Sequence, residues 1–228
     1  MTLESSLLEE EINSDIEARR ASMSSIKTLT LRYKFLEHDR ELLFQHSIPM
    51  VYSIWEGFVQ TAFQTYIREL NKLGLTIDTV CNSILIHHLE AKFKQFKQYP
   101  EKHKQKVSFF EKLNQFYTSK TIEISPIINT ESNVSLNILN RILEEFNLDK
   151  ISPYLKISPY LEKSYPLEDK LKLLLETRNS IVHGQKNAIV VDQDKLNEAI
   201  EVVNRLMDLV FEKIKQGLIE KSYLRGSS

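Results

Sequence analysis

Turn-forming residues are scarce in this 228-residue chain, which has five glycines and six prolines, and cysteine and tryptophan occur once each. So few reversals argue against an all-β protein, whose strands need a turn every ~8–12 residues. Cys81 alone forms neither an intrachain disulfide nor a Cys-rich zinc site, and its solitude points to a reducing compartment, the cytoplasm. An excess of charge is also missing: 30 basic and 31 acidic residues leave a formal net charge of −1. No global field marks the chain as a polyanion binder, so any nucleic-acid site has to be local. Long hydrophobic runs are absent too. The longest apolar stretch, Ile48 to Ile67, is interrupted by Pro49, Glu56, Gln60 and Gln64, and no charged segment followed by an apolar one opens the sequence. A soluble, unsecreted protein with no membrane partner is expected.

What is present is helical. Hydrophobic residues make up 42% of the chain, enough for an ordinary core, and Leu, Ile, Glu and Lys are abundant. Leu7, Leu8, Ile12, Ile16 and Met23 recur at helical spacing between Leu3 and about Lys27. A second run, from Asp39 to about Leu73, is apolar over much more than one stripe, from Leu42 and Leu43 through Tyr52, Trp55 and Phe58 to Tyr66, and reads as a central helix. Pro49 inside it predicts a kink or a break. Further helices are expected over Ile77 to about Phe96, Lys106 to Tyr117 and Ser135 to Phe146. Between them, "TIEISPIINTESNVS" reads as a short strand or only a loop, and the tandem "ISPYLKISPYL" excludes a continued helix. Two long helices close the chain. One runs from Pro166 or Leu167 to His183 with Gly184 just past its end, the other from about Asp194 to Lys221 behind the carboxylates of "VVDQD". The expected architecture is all-α, a single domain in the form of an up-and-down bundle. Its core spans residues 1–96 and 166–221, with a large insertion at 97–165.

The stretch "LLLETRNSIVHGQ", Leu173 to Gln185, carries the chemistry. At roughly 100° per residue, Leu171, Leu174, Leu175, Arg178 and Val182 share one narrow stripe, which aims the arginine at the core side or at an interface. Asn179 and His183, at i and i+4, lie side by side on an adjacent flank. His183 also sits in the last turn, where a helix terminus favours an imidazolium. A purely structural account competes with this: such an arginine snorkels or pairs with a carboxylate, and Glu56, the lone carboxylate of the apolar second helix, is the candidate partner.

The string Arg178-Asn179-Ser180-Ile181-Val182-His183 resembles the motif of the HEPN superfamily (higher eukaryotes and prokaryotes nucleotide-binding): arginine, four to six residues, histidine, with a polar residue commonly after the arginine. The segment "YSIWEGFVQTAFQTYI", Tyr52 to Ile67, is similar to the Trp-Glu-Gly-Phe segment of a stand-alone prokaryotic HEPN family from defence and toxin loci. Two separated motifs in the right order are far more specific than the short Arg-x4-His pattern alone. The resemblance covers residues 1–96 and 166–221. It implies a homodimer whose two motif helices face each other across a cleft, acting as a metal-independent endoribonuclease. It also implies a toxin or antiviral effector held in check by an antitoxin or other inhibitory protein. Some members are instead non-catalytic modules that bind a nucleotide or a partner protein.

The implied chemistry suits these residues. RNA supplies its own 2′-OH nucleophile, so the protein has to move protons and stabilise charge. Histidine, with a reference pKa of about 6.5, exchanges protons near neutrality. The planar, permanently charged fork of arginine holds two phosphate oxygens. Asn179 is placed to orient the imidazole or bond a phosphate oxygen. In-line transesterification wants both a base and an acid, and a twofold dimer supplies a second His183. The expected products are a 2′,3′-cyclic phosphate and a 5′-OH, and DNA should be inert. No cofactor or metal is expected. The chain lacks a Gly-rich phosphate loop, a serine nucleophile elbow and a Walker lysine, and adjacent His87 and His88 near Glu90 point to different helix faces. The lysines from Lys92, Lys94 and Lys97 to Lys106, interleaved with Phe93, Phe96 and Tyr99, fit either an RNA-binding surface or a solvated helix face.

Overall fold

The computed structural model describes residues 3–155, 166–184 and 190–226. Among these residues lie seven α-helices: α1 (Leu3–Arg32), α2 (Glu37–Lys72), α3 (Asn82–Lys92), α4 (His103–Thr118), α5 (Leu136–Glu145), α6 (Leu167–Val182) and α7 (Gln193–Ile219), with a 3-10 turn at Lys94–Phe96. The described residues contain no strand. An isolated antiparallel bridge joins Val80 to Leu224. The fold is all-α, as expected.

The width of the apolar face on α2 determines the architecture. Its buried positions run from Phe44 to Leu70 and include Trp55, Phe58, Phe63 and Tyr66, all fully inaccessible. A helix buried on several sides needs several neighbours, and α2 packs against α1, α6 and α7, while α7 also packs on α1 and α6. These four helices form the bundle. Ion pairs edge it, Arg20 to Asp208 at 2.7 Å and Lys215 to Glu9 at 2.7 Å, and their partial exposure makes them minor contributors beside the core. A second group, α3 and α5, packs on one side. Its link to the bundle is Phe146, whose ring lies 5.3 Å from Phe63, 6.0 Å from Tyr66 and 4.8 Å from His87. Buried residues from Ile122 to Ile151 belong to the same continuous core as the bundle.

Local chemistry accounts for the helix ends that position the site. The Asp192 side chain accepts the Lys195 N–H at 2.9 Å and starts α7, and Ser135 does the same for α5 through Ile138. At the end of α6, Gly184 adopts φ +61°, the left-handed conformation that glycine takes without a Cβ penalty, and so terminates the helix just after His183.

Several expectations need correction. Of the kink or break expected at Pro49, the break does not form: α2 runs on through the proline, because buried Ile48, Val51 and Tyr52 hold both sides of it in the core against the loss of one backbone hydrogen bond. α3 begins at Asn82, not near Ile77: Thr79 Oγ1 accepts the Thr76 N–H at 2.9 Å and makes a turn there. Of the strand or loop expected from Thr121, the loop is what forms. Asn71 fixes it, accepting the Ile124 N–H at 2.7 Å and donating to the Ile124 carbonyl at 3.1 Å. Leu7 and Leu42, expected in the apolar stripes, are exposed. Of the Ser-Pro tandem, the first half forms a turn anchored by the Ile151 N–H on Asn140 Oδ1 at 2.8 Å, and the second half lies outside the described residues. None of the described helices is long and apolar enough to cross a membrane.

Candidate functional site

The last turn of α6 presents Arg178, Asn179 and His183. Leu171, Leu174, Leu175, Thr177 and Ser180 bury the helix against the bundle. Toward its C-terminus the buried face rotates to Thr177 and Ser180. Val182, on the stripe expected to face the core or an interface, is therefore 56% exposed, and Arg178 falls on the boundary. The half-buried arginine is held from two directions. Its guanidinium carbon lies 4.6 Å from the centroid of the Tyr52 ring, and its Nη1 donates to Asn179 Oδ1 at 2.7 Å. Both partners are neutral. No carboxylate pairs directly with Arg178 among the described residues, so within them the fork is oriented by neutral groups.

His183 is exposed at the C-cap. Its backbone N–H donates to the Asn179 carbonyl at 3.0 Å. The expected side-chain contact between Asn179 and His183 is replaced by the Asn179–Arg178 bond, because the amide oxygen finds a charged donor on the neighbouring residue. The imidazole is left with no hydrogen-bond partner among the described residues.

Each residue of the Trp-Glu-Gly-Phe segment has a structural task. Trp55 is fully buried, donates from Nε1 to the Val134 carbonyl at 3.1 Å and stacks on Phe58 with centroids 6.3 Å apart. Gly57 lets Arg19 of α1 come close: a Cβ there would sit 3.1 Å from Arg19 Nη1, which donates to the Ile54 carbonyl at 2.8 Å. Glu56 does not pair directly with Arg178. It accepts a hydrogen bond from Thr130 Oγ1 at 2.8 Å, and Tyr52 stands between carboxylate and guanidinium. The Tyr52 hydroxyl accepts the Val134 N–H at 2.9 Å. Burial pushes that hydroxyl above its ordinary pKa; the Val134 N–H works against this, the Glu56 charge adds to it and Arg178 opposes it. The order is thus carboxylate, buried phenol, stacked guanidinium. In the sequence Tyr52 is one apolar position of the central helix among many. The one signal for its role was its i, i+4 spacing to Glu56, and its meeting with Arg178 belongs to the tertiary fold.

The other candidates are elsewhere. Lys92 and Lys94 line an open cleft of about 1000 Å³ beside α4, whereas Lys97 pairs with Glu90 at 3.3 Å and does not line it. His87 is buried and lies 3.0 Å from a Glu145 carboxylate oxygen and 3.1 Å from the Ser125 carbonyl. His88 stacks on Phe116 at 5.4 Å. No group of three or more histidine, cysteine or carboxylate side chains is placed to hold a metal among the described residues.

A family model described as RiboL-PSP-HEPN matches residues 14–216, most of the chain and both motifs. No curated protein and no solved structure matches it.

Proposed function

Because the chain belongs to the RiboL-PSP-HEPN family of the HEPN superfamily, whose members are generally ribonucleases, we propose that it is a metal-independent endoribonuclease. In this reading it cleaves RNA by attack of the 2′-OH on the adjacent phosphorus. The observation that carries the reading is the setting of Arg178, stacked on Tyr52 and steadied by Asn179, with no opposing carboxylate among the described residues. A structural arginine is ordinarily neutralised by its partners. This one is preorganised and left charged, which suits a group that meets a phosphate.

In the proposed reaction Arg178 holds the non-bridging oxygens as charge builds on the phosphorane. An exposed imidazole one turn later, His183, moves the proton. Because a second proton transfer is needed at the 5′-oxygen, the site is shared by two chains about a twofold axis, each supplying one Arg178 and one His183. Exposed Val182, one turn beyond Arg178 on the same stripe, is the apolar contact such an interface would cover. A role as the toxin or antiviral effector of a defence system, restrained by a protein partner, follows from the same resemblance.

Incubation of the purified chain with mixed cellular RNA in EDTA, with mapping of the new ends, tests the reading. Fragments with 2′,3′-cyclic phosphates and 5′-hydroxyls are expected. Retention of RNA without cleavage would place the chain with the non-catalytic binding members and overturn the proposal.

A further inference from the structure

The near-neutral total charge hides a strongly uneven distribution. Residues 92–120 carry eight lysines and two glutamates, a net +6 within a chain of −1. On the bundle helices, by contrast, several cations are paired, as Arg20 with Asp208, Lys170 with Glu198 and Lys215 with Glu9. Of the eight lysines, Lys97 alone has a carboxylate within reach among the described residues. Lys92 is held by an aromatic ring instead, its ammonium 5.1 Å from the Phe116 centroid. Stacking on a ring directs a cation without cancelling its charge.

Three of these lysines, Lys92, Lys94 and Lys112, border the cleft of about 1000 Å³ between the end of α3, the 3-10 turn, one flank of α4 and the connection that follows it. Gln115, Ser119 and Thr121 supply hydrogen-bonding groups along it, and Glu123 is the one carboxylate of its lining. His88, 6% exposed, also lines it, and neither ring nitrogen has a partner among the described residues. Burial first, and then the Lys92 charge, pull its pKa down to about 4, so it adds no charge of its own near neutrality. The connection from Ser119 runs on to Thr130 and Val134, the residues that bond Glu56 and Tyr52 beneath Arg178. One segment therefore forms both a wall of the cleft and the support of the motif arginine.

We propose that this cleft docks the sugar–phosphate backbone of single-stranded RNA, as a binding site separate from Arg178 and His183. The inference rests on the ribonuclease reading. Lysines suit a backbone track because each meets a phosphate as a flexible point charge, and amide and hydroxyl side chains complement phosphate and 2′-OH oxygens. A single strand is required because in-line attack by a 2′-OH needs a ribose free of the A-form duplex. A strand docked there would raise the local concentration of scissile bonds for the motif residues.

The test uses the full chain and a fluorescent 2′-O-methyl RNA of about twelve nucleotides, which cannot be cut through its 2′-oxygen, and follows anisotropy across a salt series. The Lys94→Glu/Lys112→Glu chain should bind about tenfold more weakly, with a salt slope smaller by about 1.4, the value for two lost single-strand phosphate contacts. Lys94→Gln/Lys112→Gln, which only neutralises, should show the same slope change, and unchanged circular dichroism would exclude misfolding. Lys34→Glu/Lys150→Glu, with the same change in net charge elsewhere, should bind within about twofold of wild type. Equal losses in the two glutamate pairs, no loss in the cleft pairs, or displacement of the RNA by polyglutamate as readily as by unlabelled RNA would overturn the site. Binding that depends on Lys94 and Lys112 in a chain that cuts no RNA would sustain the docking site while the ribonuclease reading fails. Cleavage by wild type with unaltered binding in the cleft variants would do the reverse.

Discussion

The guanidinium of Arg178 stacks on the ring of Tyr52 at 4.6 Å. Tyr52 is 1% exposed and stands in the centre of α2. The direction of the motif arginine is therefore set by the most buried helix of the bundle, the rigid support that the proposed phosphate contact calls for. Cations over aromatic faces are stabilised by roughly 0.5–2 kcal/mol.

Two substitutions at Tyr52 separate the ring from its hydroxyl. Tyr52→Phe keeps the platform but leaves the buried Val134 N–H without its acceptor, and it should lower stability by about 1–3 kcal/mol with kcat nearly unchanged. Tyr52→Leu removes the platform, and cleavage should fall by about tenfold, the kinetic equivalent of a lost cation–π contact. Thermal melts and single-turnover kinetics on both variants check this. Equal kcat in the two would mean that the ring does not position Arg178.

Replacing Arg178 by lysine keeps the charge and loses the planar fork, the bond to Asn179 and the stack on Tyr52. Cleavage should drop by roughly a hundredfold, nearly as far as in Arg178→Ala, while the melting temperature changes little. Wild-type rates in Arg178→Lys would show that charge alone suffices.

His88 makes stability depend on pH. Its imidazole titrates at about 4 in the folded chain, held down mainly by burial, against an ordinary value of about 6.5. Between these values the unfolded chain binds the extra proton, so the contribution is fully present above pH ~6.5 and is lost as pH falls toward 4. Melting temperatures of wild type and His88→Phe, taken at neutral and mildly acid pH, should diverge, with the wild type losing several degrees more. Parallel curves would remove His88 from the account.

Much of the fold was legible in the residues, and the reason is periodicity. The breadth of the apolar face on α2 announced a central helix, Gly184 announced the end of α6, and Asp192 the start of α7. What one sequence does not carry is which faces meet. Glu56 was the visible candidate partner for Arg178, but the fold places Tyr52 between them and sends Glu56 to Thr130, a loop residue with no periodic signal. Val182 obeyed the helical wheel and still faces outward, because the bundle ends before the helix does. Asn179 turned to Arg178 and not to His183, a choice made by side-chain geometry within one turn. Lys112 escaped notice because nothing in its spacing linked it to Lys92 and Lys94 across the cleft.

In the proposed cleavage His183 moves the proton and Arg178 stabilises the charge that builds on the phosphate. The most direct measurement is the cleavage rate of mixed cellular RNA by purified His183→Ala in EDTA, beside wild type, with sedimentation and circular dichroism showing both chains equally folded and associated. Loss of a histidine acid–base is expected to lower the rate by about 10²–10⁴-fold, with the wild-type fragments ending in 2′,3′-cyclic phosphate and 5′-OH. A His183→Ala chain that cuts RNA as fast as wild type would contradict the account.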